Sequence, residues 1–356
     1  MALRIREMTE ADLPAAHRIL CAAGLNPDVS EDEYCRVRTW SSFVSARRAG
    51  PAVPAGHVAE ADGVVVGVIT YSLRDMLFDG AIQMAAALCD MAVAPGQRGA
   101  TGVALCRKAQ DVFGDLGIRV VGFHMNQDGG NLWRLLGATD VPGSNVTQSI
   151  VVSPSVIASR RPFLQGVLKV VPRTVADRLL APVLRASGSR IAPWTAPVAV
   201  PPRVDAALAT HGEKLEPLLT RFRSLYDLGS LRTVSFLRWR YADHPITEYR
   251  AFSQERGGAL TAFGILAVRR QIASIFELFW EPSDSPRDAV LGATAAARAL
   301  GCGWLVSKYG SRDLDRVFGE IGFVRDDKAY LQFVLNTPVK SSDRVLFTLG
   351  DAKEYM

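Results

Sequence analysis

Asp90 is the residue in this chain best placed to exchange a proton. It stands among Leu88, Cys89 and Met91, and a carboxylate in apolar company is desolvated, so its pKa rises toward that of a working base. Two other roles stay open: an anchor for a substrate amine, or a structural partner of a neighbouring strand or arginine. Shortly after it, Arg98, Gly99, Ala100, Thr101 and Gly102 form a glycine-rich turn with one cation. Apolar residues then fall at Val103, Leu105, Cys106, Ala109, Val112, Phe113 and Leu116, which is helical spacing. Backbone N–H groups without partners and the positive end of the helix dipole both point at such a turn, so it suits an anion. His124, closing a short apolar run, is either catalytic or a solvated strand-end residue. In the second half, Trp239 and Tyr241 alternate with Arg238 and Arg240. That set could stack a base and hold phosphates, or anchor a helix in a core.

These residues need elements to carry them. Alternation predicts an edge strand over 3–8, and Thr9 to Asp12 reads as a capping box opening a helix to about residue 23. Ser30 repeats the signal for a helix reaching about residue 48. Strands over 57–61 and 64–73 flank the Asp62-Gly63 turn as a hairpin. A strand over 82–93 then leads into the glycine-rich turn and its helix, which Gly117 ends. A strand over 118–124, a helix over 131–136 and a strand over 145–152 that closes the sheet follow. The second half reads as a helix over 204–228, strands over 249–254, 259–268 and 272–280, and a helix over 285–300. A strand over 304–307, a helix over 313–321 and a last strand over 328–335 complete it.

The halves echo one another. Cys89 to Pro95 answers Phe276 to Pro282, Gly117 answers Gly301, and Leu136-Gly137 answers Ile321-Gly322, at offsets of 184 to 187 residues. A repeat of domain size is implied. The residues lost between the first and second correspondence come from the turn: the second copy has Ser283 to Asp288, with two acids and no glycine. Backbone N–H groups cannot close on a pyrophosphate there, and Asp284 and Asp288 repel it. By the same correspondence, Lys308 and Tyr309 stand where His124 stands in the first copy and face the same cleft.

Length, at 356 residues, allows a large core in each of two domains. The expected boundaries are residues 1–152, a helical bridge and proline-rich linker over 153–202, and residues 203–356. Between residues 153 and 190 stand six arginines and a lysine against Asp177 alone. Such a segment could lie on anionic lipid or hold a phosphorylated substrate. The expected role is a bridge packed between domains with its arginines solvated, so membrane contact is not expected. No apolar run is long enough to cross a bilayer, and charges from residue 4 argue against a signal peptide. Five scattered cysteines without a Cys-x-x-Cys pair fit a reducing cytoplasm, and no histidine pair has metal spacing, so no metal is expected. The net charge of +5 suits a small anionic ligand and gives no reason to expect nucleic acid.

Val93-x-Pro95-x-x-Arg98-Gly99 followed by Gly102-x-Ala104 resembles the acyl-CoA loop of the GCN5-related N-acetyltransferases, and the element order over residues 3–152 is similar to theirs. The family pattern runs Arg/Gln-x-x-Gly-x-Gly/Ala, and this chain is one residue longer. Either the turn carries a one-residue bulge or Gly99 takes the arginine's place. The resemblance implies an α/β (α+β) fold of two tandem domains of that kind, each a mixed sheet flanked by helices, the second degenerate. It also implies acetyl-CoA or a longer acyl-CoA as co-substrate. Main-chain N–H groups near Met91 and Val93 would face the thioester and pantetheine, and Arg98 to Gly102 would cradle the pyrophosphate. Asn126 matches an asparagine that commonly contacts CoA. Trp133 stands where many relatives carry a tyrosine as general acid, and an indole N–H cannot protonate a thiolate.

A tandem in which the first copy alone keeps the loop resembles the subset that includes the sugar N-acyltransferase of anthrose biosynthesis. The Trp239-Arg240-Tyr241-x-x-His244-Pro245 and Phe347 to Asp351 stretches resemble proteins of surface-polysaccharide clusters. The expectation is N-acylation of a small amine, foremost an amino sugar linked to dTDP or UDP, with Trp239, Arg240, Tyr241, Lys308 and Tyr309 in the acceptor site. Rivals are other amines (mycothiol-type, aminoglycoside or protein), aminoacyl transfer, and a non-catalytic binding protein. The sequence sets no oligomeric state.

Overall fold

The structure, a computed structural model, describes residues 3–25, 28–125, 127–140, 145–159, 171–186, 189–196, 198–309, 311–334, 344–346, 348 and 351. Strand β1 (Leu3–Glu7) pairs antiparallel with β2 (Gly56–Ala61), as its alternation requires. Between them, Thr9 donates from its N–H and hydroxyl to the Asp12 carboxylate, both at 2.8 Å, ahead of helix α1 (Leu13–Ala22). Helix α2 (Glu31–Arg38) opens on a second capping box, with the Ser30 N–H donating to Glu33 at 3.0 Å. The uninterrupted helix expected to residue 48 is broken instead by a π-helical turn, Thr39–Phe43, before α3 (Val44–Ala49).

Strand β3 (Val64–Phe78) runs well past the expected residue 73 and turns at Asp79-Gly80 into β4 (Ala81–Val93). Asp79 and Gly80 both have positive φ, 51° and 75°, the turn that matches strand twist in a tight hairpin. Helix α4 (Ala100–Asp115) returns the chain to β5 (Arg119–Met125), parallel to β4. It buries Leu105, Cys106, Ala109 and Phe113 against Ile69, Tyr71, Ala86 and Val120, while α1 packs Leu13, Ala16 and Leu20 with Val58, Val68 and Ala92 in a separate cluster. Helix α5 (Gln127–Leu135), β6 (Thr139–Asp140), β7 (Asn145–Val151), α6 (Pro154–Ala158) and α7 (Arg173–Ala186) follow.

The second half repeats the plan with α8 (Val204–Phe222), β8 (Leu228–Ser230), α9 (Val234–Leu237), a π-helical turn (Arg238–Ala242), and strands β9 (Tyr249–Arg256), β10 (Ala259–Arg269) and β11 (Ile272–Trp280). Helix α10 (Arg287–Ala299), β12 (Trp304–Tyr309), α11 (Arg312–Ile321), β13 (Val324–Val334) and β14 (Val345–Leu346) end it. Helix α8 stops short of the expected residue 228, because a 3-10 turn (Arg223–Leu225) leads into the short strand β8. Two mixed sheets result, each flanked by helices, and β13 joins them into one path.

The closing strands correct the sequence expectation. Strand β7 does not close the first sheet: it lies between β12 and the first part of β13, pairing Leu305 with Ile150 and Val324 with Ser149. The far end of β13 lies instead between β5 and β6, pairing Val334 with both Val121 and Thr139. Strand β7 of the first half is thus seated among strands of the second, and the far end of β13 among strands of the first. A sequence pattern fixes which face of a strand is buried, and says nothing about which of two matching edges receives it.

Candidate active site

The site begins at an irregularity in β4. Thr70 pairs with Asp90 and Tyr71 with Leu88, so Cys89 is an extra residue bulged out of the ladder. A bulge reverses side-chain parity. Ala86 and Leu88 before it, and Met91 and Val93 after it, pack on the α4 side, whereas Asp90 and Ala92 face the α1–α2 side. Just here β4 and β5 part: their parallel pairing runs from Ala85–Arg119 to Leu88–Gly122 and goes no further, while β4 stays paired to β3 as far as Val93–Gly67. The Ala94 N–H donates to the Val66 carbonyl at 2.8 Å. Antiparallel alternation from that bond turns the main-chain groups of Met91 and Val93 away from β3 and into the opening.

At the end of the opening, a 3-10 turn (Pro95–Gln97) and an extended Arg98 lead to Gly99, the N-cap of α4. Gly99 has φ 90° and ψ −105°, a conformation closed to residues with a Cβ. The first bond into α4 runs from the Val103 N–H to the Gly99 carbonyl at 3.2 Å, so the amides of Ala100, Thr101 and Gly102 precede the helical ladder. Thr101 and Gly102 are buried against the sheet, and a Cβ on Gly102 would come to 3.6 Å from Met91 Cε. Arg98 is exposed. The residues present therefore fit a pyrophosphate at the helix start and an extended thioester arm along β4.

Asp90 has a partner that the sequence reading did not supply. Its carboxylate accepts from Arg38 Nε at 2.5 Å, and the two side chains are only 7% and 2% exposed. The Asp90 N–H donates to Thr70 Oγ1 at 3.2 Å. Arg38 Nη1 also bonds Ser41 Oγ at 3.2 Å, and its guanidinium stands 5.7 Å from the Tyr34 ring centre. Burial pushes the Tyr34 hydroxyl well above its usual range, and the Asp90 charge adds to that. Arg38 thus meets the Asp90 carboxylate as a buried ion-pair partner, the structural role that the sequence left open.

The second half carries the same device. Ile265 pairs with Glu277 and Leu266 with Ile275, so Phe276 is bulged as Cys89 is, and β11 parts from β12 after Ile275–Ser307. Glu277 accepts from Tyr241 Oη at 2.6 Å, Thr348 Oγ1 at 3.2 Å and Arg232 Nε at 3.4 Å. Arg232 also bonds Asp351 at 2.5 Å, and Asp351 lies 3.8 Å from Arg74 of β3. All of these charged side chains are buried, and burial raises Glu277 above the ordinary carboxylate range. In the turn that follows, Asp284 pairs with Arg256 at 3.1 Å and Asp288 stands in the first turn of α10. A cleft of about 380 Å³ beside α10 is lined by Glu255, Arg256, Trp280, Asp284 and Asp288 among others, with Glu255 paired to Lys214 and Asp284 to Arg256, and it lies remote from Asp90 in the sheet order.

Several expected site residues take other places. Trp133 is fully buried in the core beneath α4, so it is a packing residue there and not a contact for CoA. Arg240 and Tyr241 are 0% and 2% exposed, Tyr241 held by Glu277, so neither offers a free surface to an acceptor. Trp239 is partly exposed and stacks on Trp40, ring centres 5.0 Å apart and 24° from parallel, each indole on a π-helical turn. His244 meets the Trp40 ring edge-on at 4.8 Å. Lys308 is partly exposed on β12, beside Thr147. His124 and Tyr309 end β5 and β12, but their side chains lie outside the described residues, as does Asn126 altogether. Among the described residues, no three His, Cys, Asp or Glu side chains gather as a metal site would need, and no helix is long and apolar enough to cross a membrane.

No protein-family model and no curated protein matches the sequence. Solved structures do. A GCN5-related N-acetyltransferase from Anabaena variabilis superposes with a TM-score of 0.59 at 11% identity, over 94% of this chain and 72% of that one. The N-myristoyltransferase of Saccharomyces cerevisiae, with bound myristoyl-CoA, gives 0.60 at 9% identity over 95% and 84%. A probable N-acyltransferase from Enterococcus faecalis, itself of unknown function, gives 0.57 at 10% over 94% and 72%. The chain has the fold of the GCN5-related N-acetyltransferases, in tandem.

Proposed function

We propose that this chain transfers an acyl group from acyl-CoA to the amine of a small acceptor. The parting of β4 from β5 past Leu88 and Gly122, with the Met91 and Val93 main chain turned into the gap and α4 starting at its end, carries the reading. Arg98, Gly99, Ala100, Thr101 and Gly102 would hold the pyrophosphate, and Asn126, just after β5, would contact the same co-substrate. Acyl-CoA supplies the activated carbonyl and a thiolate leaving group. Asp90, the carboxylate beside Arg38, would hold the acceptor's ammonium and take its proton, so that the amine can attack. The C–N bond forms as the C–S bond breaks, main-chain N–H groups of β4 stabilise the oxyanion, and a proton finishes on sulfur. His124, by its place at the end of β5, is the candidate to relay that proton.

The second copy, with acids in place of the glycine turn, is assigned to the acceptor side. An amino sugar nucleotide is the favoured acceptor, on the likeness of the Trp239 to Pro245 and Phe347 to Asp351 stretches to proteins of surface-polysaccharide clusters. Trp239, with Trp40, and Lys308 are then the candidate contacts. The reading belongs in the cytoplasm, where acyl-CoA is made.

Thermal unfolding with CoA and acetyl-CoA tests the donor. A ligand at 100 times its Kd adds about 2.7 kcal/mol to stability. An upward shift is expected, and no shift with any acyl-CoA refutes the reading. Mass spectrometry of dTDP- and UDP-linked amino sugars beside a panel of other amines then tests the acceptor.

A further inference from the structure

Helix α7 is amphipathic the wrong way round for a bridge packed between domains. Its buried residues are Ala176 and Asp177, and the anchors on that side are polar. Asp177 accepts from the Ser155 N–H at 2.7 Å and from Ser153 Oγ at 2.9 Å, and Arg173 reaches the Cys302 carbonyl at 3.2 Å. The opposite face is apolar and open: Val175, Leu179 and Val183 are 45%, 67% and 64% exposed. Their spacing of four places them in one stripe, with Pro182 and Ala186 in the same arc and Arg178 and Arg185 along one edge. Trp194 stands beside the helix, itself 40% exposed, with the guanidinium groups of Arg178 and Arg298 each 5.0 Å from its ring. Between residues 171 and 200 the chain has four arginines and one acid, and that acid, Asp177, is buried and bonded inward.

We propose that this face docks on an anionic lipid surface, α7 lying in the membrane plane with its stripe in the acyl boundary. An apolar stripe flanked by arginines and an interfacial tryptophan, with no exposed acid, complements anionic headgroups over hydrocarbon. A protein partner would have to bring an apolar patch and acids together to this face, whereas an anionic bilayer presents hydrocarbon beneath a layer of negative charge. The inference stands independently of the acyltransferase reading, since none of these residues belongs to the β4–β5 opening.

The test is co-sedimentation of the full chain with vesicles of phosphatidylcholine, with and without phosphatidylglycerol. Binding is expected on the anionic vesicles, weakening as salt rises. Arg185→Gln is expected to weaken it about fivefold, the effect of one basic residue near such a surface. Leu179→Asp combined with Val183→Asp is expected to abolish it, while melting temperature and circular dichroism stay as in the unaltered chain. Failure to sediment with anionic vesicles at low salt overturns the proposal, as does equal binding by the Leu179/Val183 variant. A concentration-dependent dimer that the same variant dissolves, without vesicle binding, also overturns it and makes the stripe an interface between copies.

Discussion

Asp90 and Glu277 occupy the same position in the two copies, each the first residue after a bulge and each bound by a buried arginine, Arg38 at 2.5 Å and Arg232 at 3.4 Å. Removing one member of a buried pair leaves a bare charge, a loss of about 3–5 kcal/mol. Arg38→Met is expected to destabilise the chain by that amount in urea unfolding. Arg38→Met with Asp90→Asn is expected to recover most of it, giving a large coupling in the double-mutant cycle. Arg232→Met strands Glu277 and Asp351 together and is expected to be the worse of the two arginine losses.

Function separates the pair where stability does not. With Asp90→Asn, kcat/KM for N-acylation is expected to fall by about a hundredfold or more, with the affinity for CoA unchanged. An unaltered pH profile of kcat/KM in that variant would remove Asp90 from the proton path.

Gly99→Ala probes the turn. An added Cβ meets nothing within 4 Å, so the cost is backbone strain alone at φ 90°. A loss of about 1–3 kcal/mol is expected, together with weaker CoA binding by calorimetry, because relaxing that strain moves the first amides of α4.

His57 and Asp315 set opposite pH dependences. His57 is buried with Nδ1 3.1 Å from Tyr71 Oη, and burial lowers its pKa to about 4. The unfolded chain binds the extra proton first, so this contribution is complete above about pH 6.5 and is lost as pH falls through 4. His57→Gln is expected to flatten that acid limb.

Asp315 accepts from Gln148 at 2.7 Å, and desolvation raises its pKa to about 6 against the lowering effect of Arg325 and Gln148. Here the folded state binds the proton more tightly, so stability falls as pH rises from about 4 to 6. After solvent screening the effect is on the order of 1 kcal/mol. Asp315→Asn is expected to be the more stable chain at pH 7 and to lose the slope, read by denaturant midpoints across that range.

The repeat was legible because it is written in short-range chemistry. Both bulges leave a trace: apolar residues at Met84, Ala86 and Leu88 switch parity to Met91 and Val93, and Ala273 and Ile275 switch to Leu278 and Trp280. The capping boxes at Thr9 and Ser30 were equally plain. Arg38 was not, since it meets Asp90 across 52 residues and two elements, and nothing local marks which cation a buried acid will find. The run at Trp239 to Tyr241 stayed open between ligand surface and core anchor for a related reason. Composition cannot show that Tyr241 will meet Glu277 or that Trp239 will stack on Trp40, both far away in sequence.

The exchange of β7 and β13 bears on how the chain is made. When residues 1–152 have left the ribosome, the strand that will lie beside β5 is still unsynthesised, and β7 waits for a β12 that comes about 150 residues later. The edge of β5 that β13 covers therefore has no partner until Leu331 to Val334 are made. Neither sheet is complete within its own half, and a chain ended at residue 152 would lack the partner that β13 brings to β5 and the one that β12 brings to β7.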